Sequence, residues 1–89
     1  MKLLKFWAPW CNPCKKQSEL LKEFTAAPLE EINIEEAKNQ DLIIKYNVKN
    51  LPTLIIVNDN EEELHRFSGI TTVDKINNTL KELLNVERQ

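Results

Sequence analysis

A pair of cysteines stands where an apolar run gives way to an amphipathic segment, in the stretch Phe6-Trp7-Ala8-Pro9-Trp10-Cys11-Asn12-Pro13-Cys14-Lys15. The run from Met1 to Ala8 mixes apolar and β-favouring residues and is closed by a proline, which predicts a buried strand. The segment from Asn12 to Ala27 has a proline in its first turn and apolar residues at helical spacing, which predicts a helix. The cysteines are therefore predicted to lie at a strand-to-helix junction.

The rest of the chain continues to alternate between strand and helix patterns. Five further elements are predicted: a strand at Leu29–Ile34, a short helix from Asn39 or Asp41 through Tyr46, a strand at Leu54–Val57, its hairpin partner at Glu63–Phe67, and a final helix that Thr71 or Thr72 caps. Because a helix joins the first two strands, they should run parallel through a right-handed crossover. The order β-α-β-α-β-β-α predicts one α/β domain over residues 1–89, with a four-stranded mixed sheet and helices on both faces.

Three local details accompany this prediction. Asn47 suits the left-handed conformation that closes a helix, and the turn residues Asn58, Asp59 and Asn60 tolerate positive φ. The charged outer strand of the hairpin, with Arg66 among its residues, should protect a sheet edge. The last helix is expected to fray from Val86 onwards.

Composition excludes several classes of protein. The 89 residues have a net charge of −2 and are 42% hydrophobic, with no block of five or more basic residues, so nucleic acid is not an expected partner. The longest uninterrupted apolar stretch is Leu54–Val57, whereas a helix needs roughly 20 apolar residues to span a bilayer. The N-terminus does not read as an export signal. We therefore expect no membrane association and a cytoplasmic location.

The cysteine spacing points to chemistry. Two cysteines three residues apart close too short a loop for a disulfide to stabilise the fold strongly. The N-terminus of a helix favours an anion, so the Cys11 thiol should ionise readily, and the thiolate is the species that attacks disulfides. Cys14 would then displace the partner that Cys11 has captured. Cys11 is expected to be accessible at the helix tip, and Cys14 to be shielded.

Two motifs of this chain resemble those of the thioredoxin family. Residues 6–15 resemble its active-site signature, with Asn12 where glycine is usual, and residues 45–54 (KYNVKNLPTL) resemble its second signature. Gly69 falls where the family has a glycine near the active-site surface. The resemblance covers residues 2–84. It implies a minimal thioredoxin-like fold and a protein-disulfide reductase in which Cys11 attacks, with no cofactor.

The resemblance also implies how a substrate would bind. The peptide bond before Pro52 would be cis and would face the cysteines, and the backbone of Leu51 would pair with an extended segment of the substrate. A flat apolar patch around Cys11 would comprise Trp10, Pro13, Leu51, Pro52 and Gly69. The expected partners are disulfide-containing client proteins, with ribonucleotide reductase as one plausible client, and an upstream disulfide reductase. We expect a monomer, and we expect Lys15 to help stabilise the Cys11 thiolate.

The chain departs from the family pattern in two ways. The family opens with an additional strand and helix, and their absence here resembles the smaller glutaredoxin-like arrangement. Lys5 stands where the family has a buried aspartate beneath the resolving cysteine, and Glu31 stands where it often has a lysine. We hypothesise a charge-exchanged, partly buried Lys5–Glu31 pair, with Glu31 accepting the proton of Cys14. In the alternative, Lys5 bends out to solvent and Glu31 lies on an exposed strand face.

The sequence is also compatible with two other functions. A C-x-x-C pair also begins many metal sites, but a structural zinc site needs four ligands, so a metal or iron–sulfur carrier would have to be a dimer. A docking module without catalysis is the other alternative. Trp7 and Tyr46 are expected in the core, Trp10 at the site and His65 on a solvated edge.

Overall fold

The computed structural model describes residues 1–87. Its elements in chain order are β1 (Lys2–Trp7), α1 (Asn12–Leu21), β2 (Leu29–Asn33), a 3₁₀ turn (Ala37–Asn39), α2 (Gln40–Lys45), β3 (Thr53–Val57), β4 (Glu63–Ser68) and α3 (Val73–Glu87). This order confirms the predicted β-α-β-α-β-β-α pattern. Within the described range, no helix is long and apolar enough to cross a bilayer.

The four strands form one mixed sheet in the order β2-β1-β3-β4. β1 runs parallel to β2 and antiparallel to β3, and β3 and β4 form the predicted antiparallel hairpin. β1 is therefore an inner strand and β2 an edge strand. The strand that leads into the cysteines is held on both sides, so their junction starts from the middle of the sheet.

The core has two layers because successive strand side chains point to opposite faces. One layer packs α1 and α3 onto the sheet through Leu3, Leu21, Phe24, Leu54, Ile56, Phe67, Ile76 and Leu80. The other layer, between the sheet and α2, contains Leu4, Phe6, Ile32, Tyr46, Ile55 and Val57. Helices thus cover both faces, as predicted.

Helix α1 ends earlier than the sequence pattern predicts. It stops at Leu21, six residues before Ala27, and the next backbone N–H groups bond to carbonyls three residues back. The chain then has to cross to the sheet, where the Pro28 carbonyl accepts a hydrogen bond from the Leu3 N–H at 2.9 Å. Phe24 still reaches the core from the loop. Phe24 is buried because it packs onto the core from the loop, and not because it belongs to α1. Its helical spacing therefore predicted a helix that is too long.

The hairpin turn uses a different residue for positive φ than predicted. Glu61 has a φ of 62°, whereas the turn residues before it do not adopt this conformation. The Asn58 side chain instead accepts hydrogen bonds from the Asn60 and Glu62 N–H groups at 2.9 and 3.0 Å. An Asx-type turn therefore shapes the loop. Asn47 does adopt the predicted left-handed conformation, with a φ of 51°.

The last helix has a defined start. The Thr72 hydroxyl accepts a hydrogen bond from the Lys75 N–H at 3.3 Å, which makes Thr72 the capping residue of the two candidates. The helix continues through Val86 to Glu87, so Val86 is helical. The remainder of the segment predicted to fray, residues 88–89, lies outside the described residues.

Arg66 ties the outer strand to the end of α2. Its guanidinium donates hydrogen bonds to the carbonyls of Tyr46 and Asn47 and pairs with the Glu63 carboxylate at 2.8 Å. The hydrogen bonds that the guanidinium donates to the Glu63 carboxylate raise the pKa of Arg66, so this guanidinium stays charged. Cations near a helix C-terminus stabilise it. The residue predicted only to protect an edge therefore also closes a helix.

Candidate active site

The two cysteines lie at the junction between β1 and α1. Cys11 is the N-cap residue of α1 and has extended backbone angles, and its N–H donates to the Ala8 carbonyl at 3.1 Å. Its sulfur accepts a hydrogen bond from the Cys14 N–H at 3.1 Å and is joined to the Cys14 sulfur in a disulfide, with 5.2 Å between the Cα atoms. A backbone N–H and the helix dipole thus face the Cys11 sulfur. Both stabilise negative charge there.

Both cysteines are buried in this oxidised form. Cys11 is 5% exposed and Cys14 is 2% exposed, so the strong difference in accessibility predicted for them is absent. They form a small cluster with Ala8, against which the partly buried side chains of Ile34 and Leu51 pack. These neighbours come from other parts of the chain, and their contact with Cys11 could not be inferred from its position at a helix tip.

A cleft of about 530 Å³ opens beside the disulfide. Its lining combines the cysteine junction, the residue after β2, helix α2 and the segment before β3, and consists of Trp10, Cys11, Asn12, Pro13, Ile34, Ile43, Val48, Lys49, Asn50 and Leu51. Most of these side chains are apolar, and the polar groups are the Lys49 ammonium and the amides of Asn12 and Asn50. The cleft is the route by which a reacting group could approach Cys11.

The residues of the implied substrate patch differ in how far they are exposed. The Leu51–Pro52 bond is cis, as the resemblance implied, but the Pro52 ring is buried. The Pro52 carbonyl accepts a hydrogen bond from the Gly69 N–H at 2.9 Å, and Gly69 has a φ of 87°, which favours glycine. Trp10 is 64% exposed. Pro52 therefore contributes almost no surface to the predicted patch.

Comparison with known proteins agrees with this geometry. A sequence model of the family described as Thioredoxin matches residues 1–82. The chain belongs to the thioredoxin family. Thioredoxin of Bacillus subtilis is 39% identical over 62 residues, which cover 66% of this chain and 60% of that protein. Thioredoxin of Buchnera aphidicola is 31% identical over 87 residues, covering 92% of this chain and 74% of the relative.

Solved thioredoxins also share the fold. A thioredoxin variant from Halobacterium salinarum superposes with a TM-score of 0.74 at 31% identity, covering 91% of this chain and 72% of that one. Because the Bacillus subtilis match covers 60% of that relative, this chain spans less than two thirds of its length.

The thioredoxin-family chain contains the ion pair hypothesised from its sequence. Lys5 and Glu31 are register partners on the parallel strands β1 and β2, and their ammonium and carboxylate lie 3.2 Å apart. Lys5 is 1% exposed, so the alternative in which it bends out to solvent is wrong. The Glu31 side chain is 51% exposed. The ammonium also donates a hydrogen bond to the Ser18 hydroxyl, a contact that strand register alone does not predict.

The remaining predicted residues take the following places in this thioredoxin fold. Tyr46 is buried in the α2 layer and makes an edge contact with Phe6, and His65 is exposed. Trp7 packs beside the cysteine cluster, and its indole N–H has no hydrogen-bond partner among the described residues. Lys15 is exposed on α1. Within residues 1–87, no group of three or more His, Cys, Asp or Glu side chains is arranged to hold a metal ion.

Gln17 is a structurally important residue that the sequence analysis missed. It is fully buried, and its side-chain amide bonds twice to the backbone of Thr71: it donates to the carbonyl at 2.9 Å and accepts from the N–H at 2.8 Å. The Thr71 hydroxyl in turn donates to the Gly69 carbonyl at 3.1 Å. Gln17 therefore joins the cysteine-bearing helix to the loop beside Pro52. Its one sequence signal is its spacing of three from Cys14.

Substitution of Gln17 by leucine should destabilise the thioredoxin fold. The Thr71 N–H and carbonyl would stay buried without partners, and we expect the free energy of unfolding to fall by about 2–4 kcal/mol. Urea unfolding would measure the change. The matched control is Gln40→Leu, because Gln40 is exposed and water can replace its bond to the Ile34 carbonyl. Equal losses in the two variants would contradict the importance of burial at Gln17.

Proposed function

We propose that this protein is a protein-disulfide reductase that works through the Cys11–Cys14 couple. The observation that supports the proposal best is the position of Cys11, whose sulfur caps α1, accepts the Cys14 N–H and borders an open cleft. A thiolate in this position has an N–H donor and a helix dipole to stabilise it. The cleft gives a substrate disulfide an approach to it.

The proposed reaction transfers two electrons to a client. In the reduced protein, the Cys11 thiolate attacks one sulfur of a client disulfide, forming a mixed disulfide and releasing the other client sulfur as a thiolate. Deprotonated Cys14 then attacks the Cys11 sulfur and displaces the client. The client leaves as a dithiol once its thiolates take up protons, and the protein ends in the disulfide form described above.

The clients we propose are disulfide-containing proteins that present an extended segment. The cleft is lined mostly by apolar side chains, among them the exposed indole of Trp10. Leu51 would pair with the client backbone, with Pro13 and Gly69 at the border of the contact. Ribonucleotide reductase remains one plausible client, and an upstream disulfide reductase would return electrons to the monomeric protein.

We propose a cytoplasmic location for this activity. Both cysteines of the chain belong to the active-site pair, so the fold has no separate structural disulfide. This pattern suits a compartment in which thiols are kept reduced.

Measurement of the redox midpoint of the Cys11–Cys14 couple tests whether the protein acts as a reductant of its clients. A midpoint far more oxidising than the glutathione pool would contradict a reductant, and a value near or below it would support one.

Activity itself is tested by reduction of a disulfide-bonded protein such as insulin, with a small dithiol as the electron donor. We expect the protein to accelerate the reduction over the rate with the dithiol alone.

Two outcomes would favour the alternative functions. If both cysteines could be replaced by serine without effect on a cellular role, the protein would be a docking module. Stoichiometric metal in reductively purified protein would instead favour the carrier alternative.

Glu31 is proposed to accept the proton of Cys14 during resolution. Its carboxylate is partly open to water and is held by Lys5, whose ammonium contacts α1 beneath the cysteines. General bases typically contribute on the order of 10²-fold or more, so Glu31→Gln should slow resolution at neutral pH by about that factor. Single-turnover rates of mixed-disulfide resolution, measured against pH, would show this loss of rate.

The control is Glu35→Gln, which removes a carboxylate bonded to Trp10. Superimposable profiles for wild type and Glu31→Gln would exclude Glu31 as the base.

A further inference from the structure

Lys5 holds a positive charge in the interior beneath the active site. The residue is 1% exposed and points to the face of the sheet that α1 covers. Its ammonium has three neighbours: the Ser18 hydroxyl, the Glu31 carboxylate at 3.2 Å, and the Trp7 ring, whose centroid lies 5.8 Å away. An ammonium in such a place is costly to desolvate. Its effect on nearby charges is correspondingly strong, because water screens it little.

Two of these neighbours place the ammonium close to the sulfurs. Ser18 follows Cys14 by four residues on α1, and such residues lie one above the other on a helix face, with roughly 5–6 Å between their Cβ atoms. Trp7 packs against the cluster that contains both cysteines. The ammonium therefore contacts the turn of α1 directly below Cys14 and the aromatic ring beside the disulfide.

The opposite charge of Glu31 compensates Lys5 only in part. The Glu31 side chain lies on the edge strand and is 51% exposed, so water screens its field. The other charged groups around the site, Lys15, Lys16, Lys49 and Glu35, are all exposed and screened in the same way. Of the charges within the described residues near the disulfide, Lys5 is the one that is fully buried.

We propose that Lys5 tunes the reduction potential of the Cys11–Cys14 couple, an inference that rests on the disulfide-exchange function proposed above. When two thiols reduce the disulfide, they supply two electrons and two protons, the Cys11–Cys14 bond breaks, and the donor becomes a disulfide. Ionisation of one resulting thiol releases a proton to solvent. The ammonium stabilises that thiolate and hence the reduced form, so it makes this protein easier to reduce.

The test is the equilibrium of the purified full chain with a glutathione redox buffer at neutral pH. Lys5→Met keeps an unbranched side chain without charge, and the Glu31 carboxylate that loses its partner is half-exposed, so it does not become an uncompensated buried charge. We expect the equilibrium constant for reduction to fall by about tenfold in this variant, which corresponds to a potential roughly 30 mV more negative. Glu31→Gln removes the counter-charge and should raise the constant by about threefold.

Lys2→Met is the matched control. Lys2 lies on the same strand, pairs with Glu30 of β2 at 2.9 Å, and is about 10 Å from Lys5 along β1. The hydrogen bond that the Lys2 ammonium donates to the Glu30 carboxylate raises the pKa of Lys2, so the substitution removes a full charge. We expect a change of less than about twofold, because water screens this partly exposed pair at that distance.

The outcomes separate this inference from the proposed function. An unchanged constant in Lys5→Met, or a shift in the same direction in Lys5→Met and Glu31→Gln, would overturn the role of Lys5 while leaving disulfide exchange intact. If Lys5→Met does not fold, a fall in the constant for Glu31→Gln would by itself overturn the inference and a rise would support it. A wild-type protein that never exchanges with glutathione would refute the proposed function itself.

Discussion

Replacement of Cys11 by serine is expected to reduce protein-disulfide reduction to the rate of the dithiol donor alone. The attacking sulfur is then gone, and a serine hydroxyl does not attack disulfides under these conditions. Cys14→Ser should also stop turnover, but at a later step. Cys11 can still form the mixed disulfide, and no neighbouring thiol resolves it. Insulin reduction measures the loss, and mass spectrometry under non-reducing conditions detects the trapped client.

The two variants control for each other. Both remove one sulfur atom and the same disulfide, and a loop of this size contributes little to stability, so both should unfold at similar urea concentrations. Only Cys14→Ser should accumulate the covalent complex. Accumulation in Cys11→Ser instead would mean that Cys14 is the attacking residue. Full turnover in either variant would contradict the dithiol mechanism.

The cysteine junction was predictable because its signals are local. Pro9 closes a short apolar run, and Pro13 falls in the first turn of a helical pattern, so the residues between them must include the helix start. The parallel arrangement of β1 and β2 followed from the helix between them. The family resemblance added the second segment around Pro52, including its cis bond, which no local pattern reveals.

The contacts that were missed all depend on partners distant in the chain. Gln17 bonds to Thr71, 54 residues away, and Arg66 bonds to Tyr46, 20 residues away. Neither residue type indicates such a partner, because glutamine and arginine are usually exposed. The burial of Cys11 likewise depends on Leu51. The Lys5–Glu31 pair was predicted from the family resemblance, because the two residues stand where the family has an aspartate and often a lysine, with the charges exchanged.

Phe6→Ala is expected to cause the largest loss of stability among the substitutions considered. Phe6 is fully buried on the inner strand β1, and its ring meets that of Tyr46 edge-on with 6.1 Å between centroids. Truncation leaves a cavity between the sheet and α2 that a central strand cannot collapse to fill. Such substitutions cost about 3–5 kcal/mol, against a total stability of about 5–15 kcal/mol for a domain.

Urea unfolding provides the measurement, and Tyr46→Phe the control. The control keeps both rings and removes the hydroxyl that donates to the Glu61 carbonyl at 2.6 Å, so we expect it to lose only about 1 kcal/mol. Because Phe6 lies on the face of β1 opposite Lys5, the folded fraction of Phe6→Ala should keep the wild-type redox midpoint. A loss of stability no greater than that of Tyr46→Phe would show that the α2 layer repacks and is not a rigid support for the active-site strand.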